Sequence, residues 1–293
     1  RPSSSTALTN ARPSSVASFQ FANPATNSLW SGVFAVVIAS PDHWHAIMAI
    51  DACRAKKDIY LEKPLTFTIK EGQELVKAVR ENGIVLAVGS MQRAAVNFQT
   101  AAMHVQRGKL GKISQVLVHV GDNPHPKPYD LEKQDIPAGL NWEKWLGPIP
   151  SLHFNDLLNP GISLNPEKNE AAWGAWRWYR ETGGGLMTDW GAHMIDIAQW
   201  GLSMDRNGPV EVIPASGDRP LTYRYANGVE ILMTKFEEGR QAVKFLGEKG
   251  SIGLALFVRN MNWFGKHDKR TKLAETAPAK NHELLARRQA GQG

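Results

Sequence analysis

The apolar and polar positions divide the chain into stretches of different texture. Val33–Ala39 is an unbroken run dominated by β-branched residues, the pattern of a strand buried on both faces in a parallel sheet. Ser40-Pro41 follows as a helix start, and Ile47, Ile50, Ala52 and Cys53 supply its apolar positions. Asp58–Leu61 reads as a second strand. Thr68 and Glu71 are spaced as a capping box ahead of a helix bearing Leu75, Val76 and Val79, with its stop at Asn82-Gly83. A third strand is expected at Ile84–Val88 and a helix at Phe98–Val105, ending by Gly108. Strands and helices alternating across short joints predict a doubly wound parallel sheet.

Past Gly111 the pattern changes. Ile113–Val120 predicts a strand, and Pro124, Pro126 and Pro128 then exclude regular helix or central sheet. Thr188–Trp200 reads as one helix, introduced by Gly183-Gly184-Gly185. Strands are expected at Val210–Ile213, Leu221–Tyr225, Val229–Phe236 and Ala242–Leu246, with Asn227-Gly228 as a hairpin turn. This half predicts an α+β domain with an open, mostly antiparallel sheet. Beyond Leu256 the pattern fades.

Composition marks off both ends. Residues 1–30 hold seven Ser and three Pro and no acid, and the first carboxylate of the chain is Asp42. Such a segment is expected to be disordered or foreign to the fold. The net charge of +6 is concentrated past Val258, where eight Lys/Arg face three acids; the preceding residues carry 26 basic and 25 acidic side chains. A nearly neutral body argues against a nucleic-acid partner. The single cysteine, Cys53, excludes an internal disulfide scaffold and a cysteine-rich zinc site. No apolar run reaches the ~20 residues that span a bilayer, so no membrane association is expected. The resulting division is 1–32 disordered or non-native, 33–111 parallel-sheet domain, 112–256 α+β domain and 257–293 basic tail.

Three segments carry candidate chemistry. In open parallel sheets ligands bind beyond the carboxyl ends of the strands, where Ala39-Ser-Pro-Asp-His-Trp-His45 and Glu62-Lys-Pro64 fall. Lys63 is placed to donate to a substrate oxygen, or else lies in a solvated turn. Asp189 and His193 stand four apart on the predicted helix. A carboxylate that orients an imidazole is a common general-base arrangement, and a surface hydrogen-bonded pair is the plainer reading. His43 and His45 lack the further ligands of a metal site. The Trp173, Trp176, Arg177, Trp178 cluster either stacks a ring-shaped ligand or packs the second domain.

Together with Gly89-Ser-Met-Gln-Arg93 and Gly183-Gly-Gly-Leu-Met-Thr-Asp-Trp-Gly-Ala-His193, these segments resemble the Gfo/Idh/MocA oxidoreductases, collinearly from about Val33 to about Ile252. The resemblance implies a Rossmann domain that binds NAD or NADP, a second domain that supports a homodimer or homotetramer, and a sugar or cyclitol substrate. Lys63, Asp189 and His193 would be the catalytic residues. Ser40, Pro41, His45, Glu62 and Lys63 would bind the cofactor, and Gln92, Trp176, Arg177 and His193 the substrate. No metal is implied, and a cytoplasmic location is expected, or a periplasmic one if an export signal has been lost. The family also includes NAD-assisted glycoside hydrolases, and a non-catalytic sugar-binding or assembly protein is a further alternative. The chain departs from the family in having no Gly-x-Gly-x-x-Gly, the turn that cradles the cofactor pyrophosphate. A fragment or a frameshifted gene, with impaired cofactor binding, is the expected cause.

Overall fold

The computed structural model describes residues 33–121, 125–160, 174–236 and 241–255, and the backbone of 262–265. The disorder expected at 1–32, and Trp173, lie outside them. The chain forms two compact units that do not follow it linearly: Arg1–Gly89 with His125–Asp189, and Ser90–Pro124 with Trp190–Gly293.

In the first unit, β1 (Ala35–Ile38), β2 (Asp58–Glu62) and β3 (Leu86–Gly89) make a parallel sheet in sequential order. Its register sets Ile38 beside Leu61 and Glu62 beside Gly89. Helices α1 (Asp42–Arg54) and α2 (Ile69–Asn82) are the crossovers. The capping box forms: the Thr68 hydroxyl accepts from Glu71 N at 3.2 Å and the Glu71 carboxylate from Thr68 N at 2.8 Å. Ile38, Leu61, Leu75, Ala49, Ala52 and Cys53 form the core on the helix side. The strand at Val33–Ala39 is not buried on both faces. Phe34 is 88% and Val37 64% exposed, and Tyr60, Val85 and Val88 are exposed as well. Among the described residues the two crossover helices cover one face of the sheet, which accounts for the difference.

The Trp-rich stretch joins this unit. Around α4 (Trp142–Leu146) the Trp142 and Trp145 rings stack at 4.6 Å, and Phe154 meets Trp142 edge-on at 5.1 Å. The Trp145 carbonyl ties the cluster to α1, lying 2.8 Å from Trp44 Nε1 and 3.0 Å from His43 Nε2. Gly147 allows that approach: a Cβ there would lie 2.2 Å from the Trp44 ring, and its φ of +56° suits glycine. These tryptophans are core, packed with Leu146, Phe154, Leu158 and Tyr179.

The second unit is a seven-stranded sheet of order β10-β9-β8-β4-β7-β6-β5. Its strands are β4 (Ile113–His119), β5 (Glu211–Ile213), β6 (Thr222–Arg224), β7 (Glu230–Met233), β8 (Ala242–Gly247), β9 (Gly250–Ala255) and β10 (Asn262–Gly265). Only β4 and β7 pair in parallel. The last two strands continue the sheet where the sequence pattern showed none, because β9 is rich in small residues and lacks clear alternation. Helices α3 (Val96–Gln106) and α6 (Gly191–Gly201) pack against the sheet, α6 through Met194, Ile197 and Ala198. The helix expected over Thr188–Trp200 is two: α5 (Gly185–Asp189) ends in the first unit and α6 begins after Trp190.

Candidate active site

The site in the first unit lies at the carboxyl ends of its parallel strands. Beyond β1, Ser40 and Pro41 lead into α1, whose first residue is Asp42. Beyond β2, Lys63 follows Glu62, and the Lys63–Pro64 peptide is cis. His45 ties the two loops together: Nε2 lies 2.9 Å from Ser40 O and Nδ1 2.7 Å from Pro64 O. Burial lowers its pKa. A neutral imidazole donates through one nitrogen only, so one of the two carbonyls faces an acceptor nitrogen. His45 is 1% exposed, with both nitrogens turned to backbone. Its ring therefore sets the loops, and it is not an open contact for a ligand.

Lys63 Nζ donates to the main-chain carbonyl of Asp189 at 3.0 Å and to the Asp189 carboxylate Oδ1. Asp189 is 6% exposed, and its Oδ2 is buried without a hydrogen-bond partner. Arg177 Nε stands 3.9 Å from Oδ1. The Arg177 guanidinium lies 4.2 Å from the Trp176 ring centroid and donates to Gly174 O at 3.2 Å. Burial lowers the Arg177 pKa. The glycine triplet makes the approach of α5 possible. A Cβ on Gly183 would lie 2.8 Å from Arg177 O, and one on Gly184 2.3 Å from the Thr188 side chain.

The arrangement differs from an aspartate that orients a histidine. Asp189 closes a five-residue helix and gives its carboxylate to Lys63, while His193 sits on the next helix beyond Trp190. His193 is buried at 4% exposure, its ring 5.4 Å from that of Trp190. Gln92 lies in the 3-10 turn Met91–Ala94 of the same, second unit.

Asp42 was not singled out from the sequence, although its place just beyond β1 was a usable signal. It is 5% exposed, and burial, opposed by the Lys63 charge, raises its pKa from 3.8 to about 7; Asp189 adds to the rise and Arg177 opposes it. Two acids and two bases thus share one poorly hydrated region of the first unit. Glu62 is less enclosed. It accepts from Tyr60 Oη and Lys63 N, both at 3.3 Å, and a Cβ at Gly89 would lie 2.7 Å from its carboxylate.

Among the described residues no group of three or more His, Cys, Asp or Glu side chains could hold a metal ion, and no helix is long and apolar enough to cross a membrane.

A parallel sheet with a lysine–aspartate pair beyond its strand ends, accompanied by a second mixed sheet, is an α/β architecture with a candidate ligand site at the strand ends. Two family models match the chain: the oxidoreductase family NAD-binding Rossmann fold matches residues 2–90, and the oxidoreductase family C-terminal alpha/beta domain matches 125–262. The chain belongs to the Gfo/Idh/MocA oxidoreductase family. An uncharacterized oxidoreductase of Bacillus subtilis, YrbE, is 35% identical over 202 residues, 69% of this chain and 53% of that protein. The scyllo-inositol 2-dehydrogenase (NAD(+)) of the same organism is 35% identical over 81 residues, 28% of this chain and 24% of that one. The chain thus spans about half the length, or less, of these curated relatives. Among solved structures, the WlbA dehydrogenase of Bordetella pertussis in complex with NADH and UDP-GlcNAcA matches with a TM-score of 0.55 and 20% identity, over 93% of this chain and 70% of that one. The aldose-aldose oxidoreductase of Caulobacter crescentus complexed with glycerol gives a TM-score of 0.53 and 16% identity, over 91% and 72%. At such identities the likeness is one of fold.

Proposed function

We propose that this chain carries the site of an NAD(P)-dependent oxidoreductase acting on a hydroxyl carbon of a sugar or cyclitol. The observation that carries the reading is the Lys63–Asp189 pair, with Asp189 Oδ2 buried and lacking a donor. Lys63, anchored on Asp189, is placed to hydrogen-bond the oxygen of a substrate hydroxyl and orient it. His193, carried over from the family's helix motif, is the candidate acceptor of the hydroxyl proton as the carbon is oxidised. NAD(P), when bound, would supply the hydride acceptor for that carbon. Glu62 suits the nicotinamide end of the cofactor, since two long hydrogen bonds leave lone pairs for ribose hydroxyls. Ser40 and Pro41 belong to the same strand-end loops and His45 holds them. Trp176, backed by Arg177, and, from the family motif, Gln92 are candidates for substrate contact.

No Gly-x-Gly-x-x-Gly occurs in the chain, so the affinity for the cofactor is expected to be weak. The test is an NADH titration followed by nicotinamide fluorescence, alone and with a polyol panel of myo-inositol, scyllo-inositol and glucose. Saturable binding that tightens with one polyol supports the reading. No binding up to millimolar NADH contradicts it.

A further inference from the structure

Arg93, the last residue of the Gly89–Arg93 segment, has no part in the chemistry proposed above, yet it makes a cluster of directional polar contacts in the second unit. Its Nε donates to Asp196 Oδ2 at 2.8 Å and its Nη2 to Asp196 Oδ1 at 2.6 Å, a two-pronged fork. A third bond, 2.7 Å long, runs from Nη2 to Asp205 Oδ1. The guanidinium lies 5.3 Å from the Trp200 ring centroid. Its main chain is anchored too, because Arg93 N donates to Ser90 O at 3.0 Å and Gln99 Nε2 donates to Arg93 O at 3.0 Å. All these partners belong to one unit, and they join the turn that carries Gln92 to the helix that carries His193.

Asp196 stands three residues after His193, one turn along α6. The helix is also held by the buried side chains of Met194, Ile197 and Ala198 and, farther along, by Gln199, which accepts from Tyr225 Oη at 3.0 Å, and by Trp200 O, which accepts from Gln106 Nε2 at 2.7 Å; the Arg93 fork is the two-pronged contact on the turn that carries His193. A roll of about 15° would move a ring about 6 Å from the axis by about 1.5 Å, enough to spoil proton transfer. A planar fork resists that roll, and a lysine, with one ammonium on a flexible stem, does not.

We propose that Arg93 is a positioning residue for His193: the fork to Asp196 fixes the rotation of α6 against the Met91–Ala94 turn and so holds the imidazole and Gln92 on one rigid frame. Its consequence for catalysis rests on the oxidoreductase reading; the effect on the His193 ring does not.

The experiment compares the full chain with Arg93→Lys, Asp196→Asn and a control, Arg224→Lys. The control breaks a similar arginine cluster with Glu211 and Glu230, on strands β5, β6 and β7 at one edge of the sheet of the same unit and without a bond to the Met91–Ala94 turn. The readout is the imidazole nitrogen NMR signal of His193, assigned by its loss in His193→Asn, together with turnover of the polyol that the titration identifies. Arg93→Lys and Asp196→Asn are expected to split or broaden the His193 signal and lower kcat ten- to hundredfold, with the KM for NAD unchanged. The control is expected to leave the signal in place. A His193 signal in Arg93→Lys that matches the parent overturns the proposal, as does equal broadening in the control. Should Arg93→Lys fail to fold, the signal of the nearly isosteric Asp196→Asn decides by the same criterion. Absence of turnover in the parent counts against the oxidoreductase reading alone, since the NMR comparison still decides the role of Arg93.

Discussion

Lys63 is bonded to both the carboxylate and the main-chain carbonyl of Asp189, 126 residues away in the chain. The two side chains are 19% and 7% exposed. Removing one partner leaves the other charge buried, which costs about 3–5 kcal/mol, whereas replacing both can be nearly neutral. Lys63→Met is therefore expected to lower urea stability by an amount of that order, and Lys63→Met with Asp189→Leu to recover most of it. Additive losses in the double variant would mean that the pair is not coupled.

Asp42 and His43 make stability depend on pH in opposite senses. The folded pKa of Asp42 is raised to about 7, so between pH 4 and 7 the folded state holds a proton that the unfolded state has released. Its contribution is largest below pH 4 and is lost as the pH rises to 7. Burial lowers His43 from 6.5 to about 4, and the stability from its neutral form is present above pH 6.5 and lost on acidification toward 4. The two slopes offset one another between pH 4 and 6.5. Asp42→Asn is expected to gain a few kcal/mol at pH 8 and to show a steep acid loss that the parent lacks. Urea titrations at half-unit pH steps check this; parallel curves for parent and variant would refute it.

His45 faces the carbonyls of Ser40 and Pro64, and an isosteric apolar ring would remove the one ring N–H that donates to them. His45→Phe is expected to cost about 1–3 kcal/mol and to weaken NADH binding, because the strand-end loops lose their tie. An unchanged NADH titration would show that those loops keep their shape without it.

Gly147 tests the packing of the aromatic cluster on α1. A Cβ 2.2 Å from the Trp44 ring, at a positive φ, forces the tie between Trp44 and the Trp145 carbonyl apart. Gly147→Ala is expected to lower stability by about 1–3 kcal/mol and to shift tryptophan emission to longer wavelength. Parent-like melting would contradict this packing.

Local signals in the sequence carried much of the fold. The Thr68–Glu71 box, the stop at Gly83 and the strands from β1 to β8 follow from capping, turn and alternation rules that act within a few residues. What escaped depends on distant partners. The burial of β1 is one-sided because of what covers the sheet, and the Trp142–Trp145 cluster meets α1 at a carbonyl shared by His43 and Trp44 and at Gly147. Lys63, Asp189 and His193 were legible as candidates from their motifs. Their pairing was not: the break at Trp190 follows how α5 and α6 pack, and no spacing rule distinguishes it from a continuous helix. Asp42 escaped notice because its character comes from burial beside Lys63, Asp189 and Arg177.

The central claim is that the Lys63–Asp189 site moves a hydride between a polyol carbon and a nicotinamide. The most direct measurement incubates the full chain with NAD and a polyol deuterated at its hydroxyl-bearing carbons, and assays the NADH formed for deuterium by mass spectrometry. The account predicts deuterium at C4 of the NADH formed by the parent, and none above background with Lys63→Met, measured where that variant remains folded. Undeuterated NADH from the parent, or equal label from Lys63→Met, would contradict it.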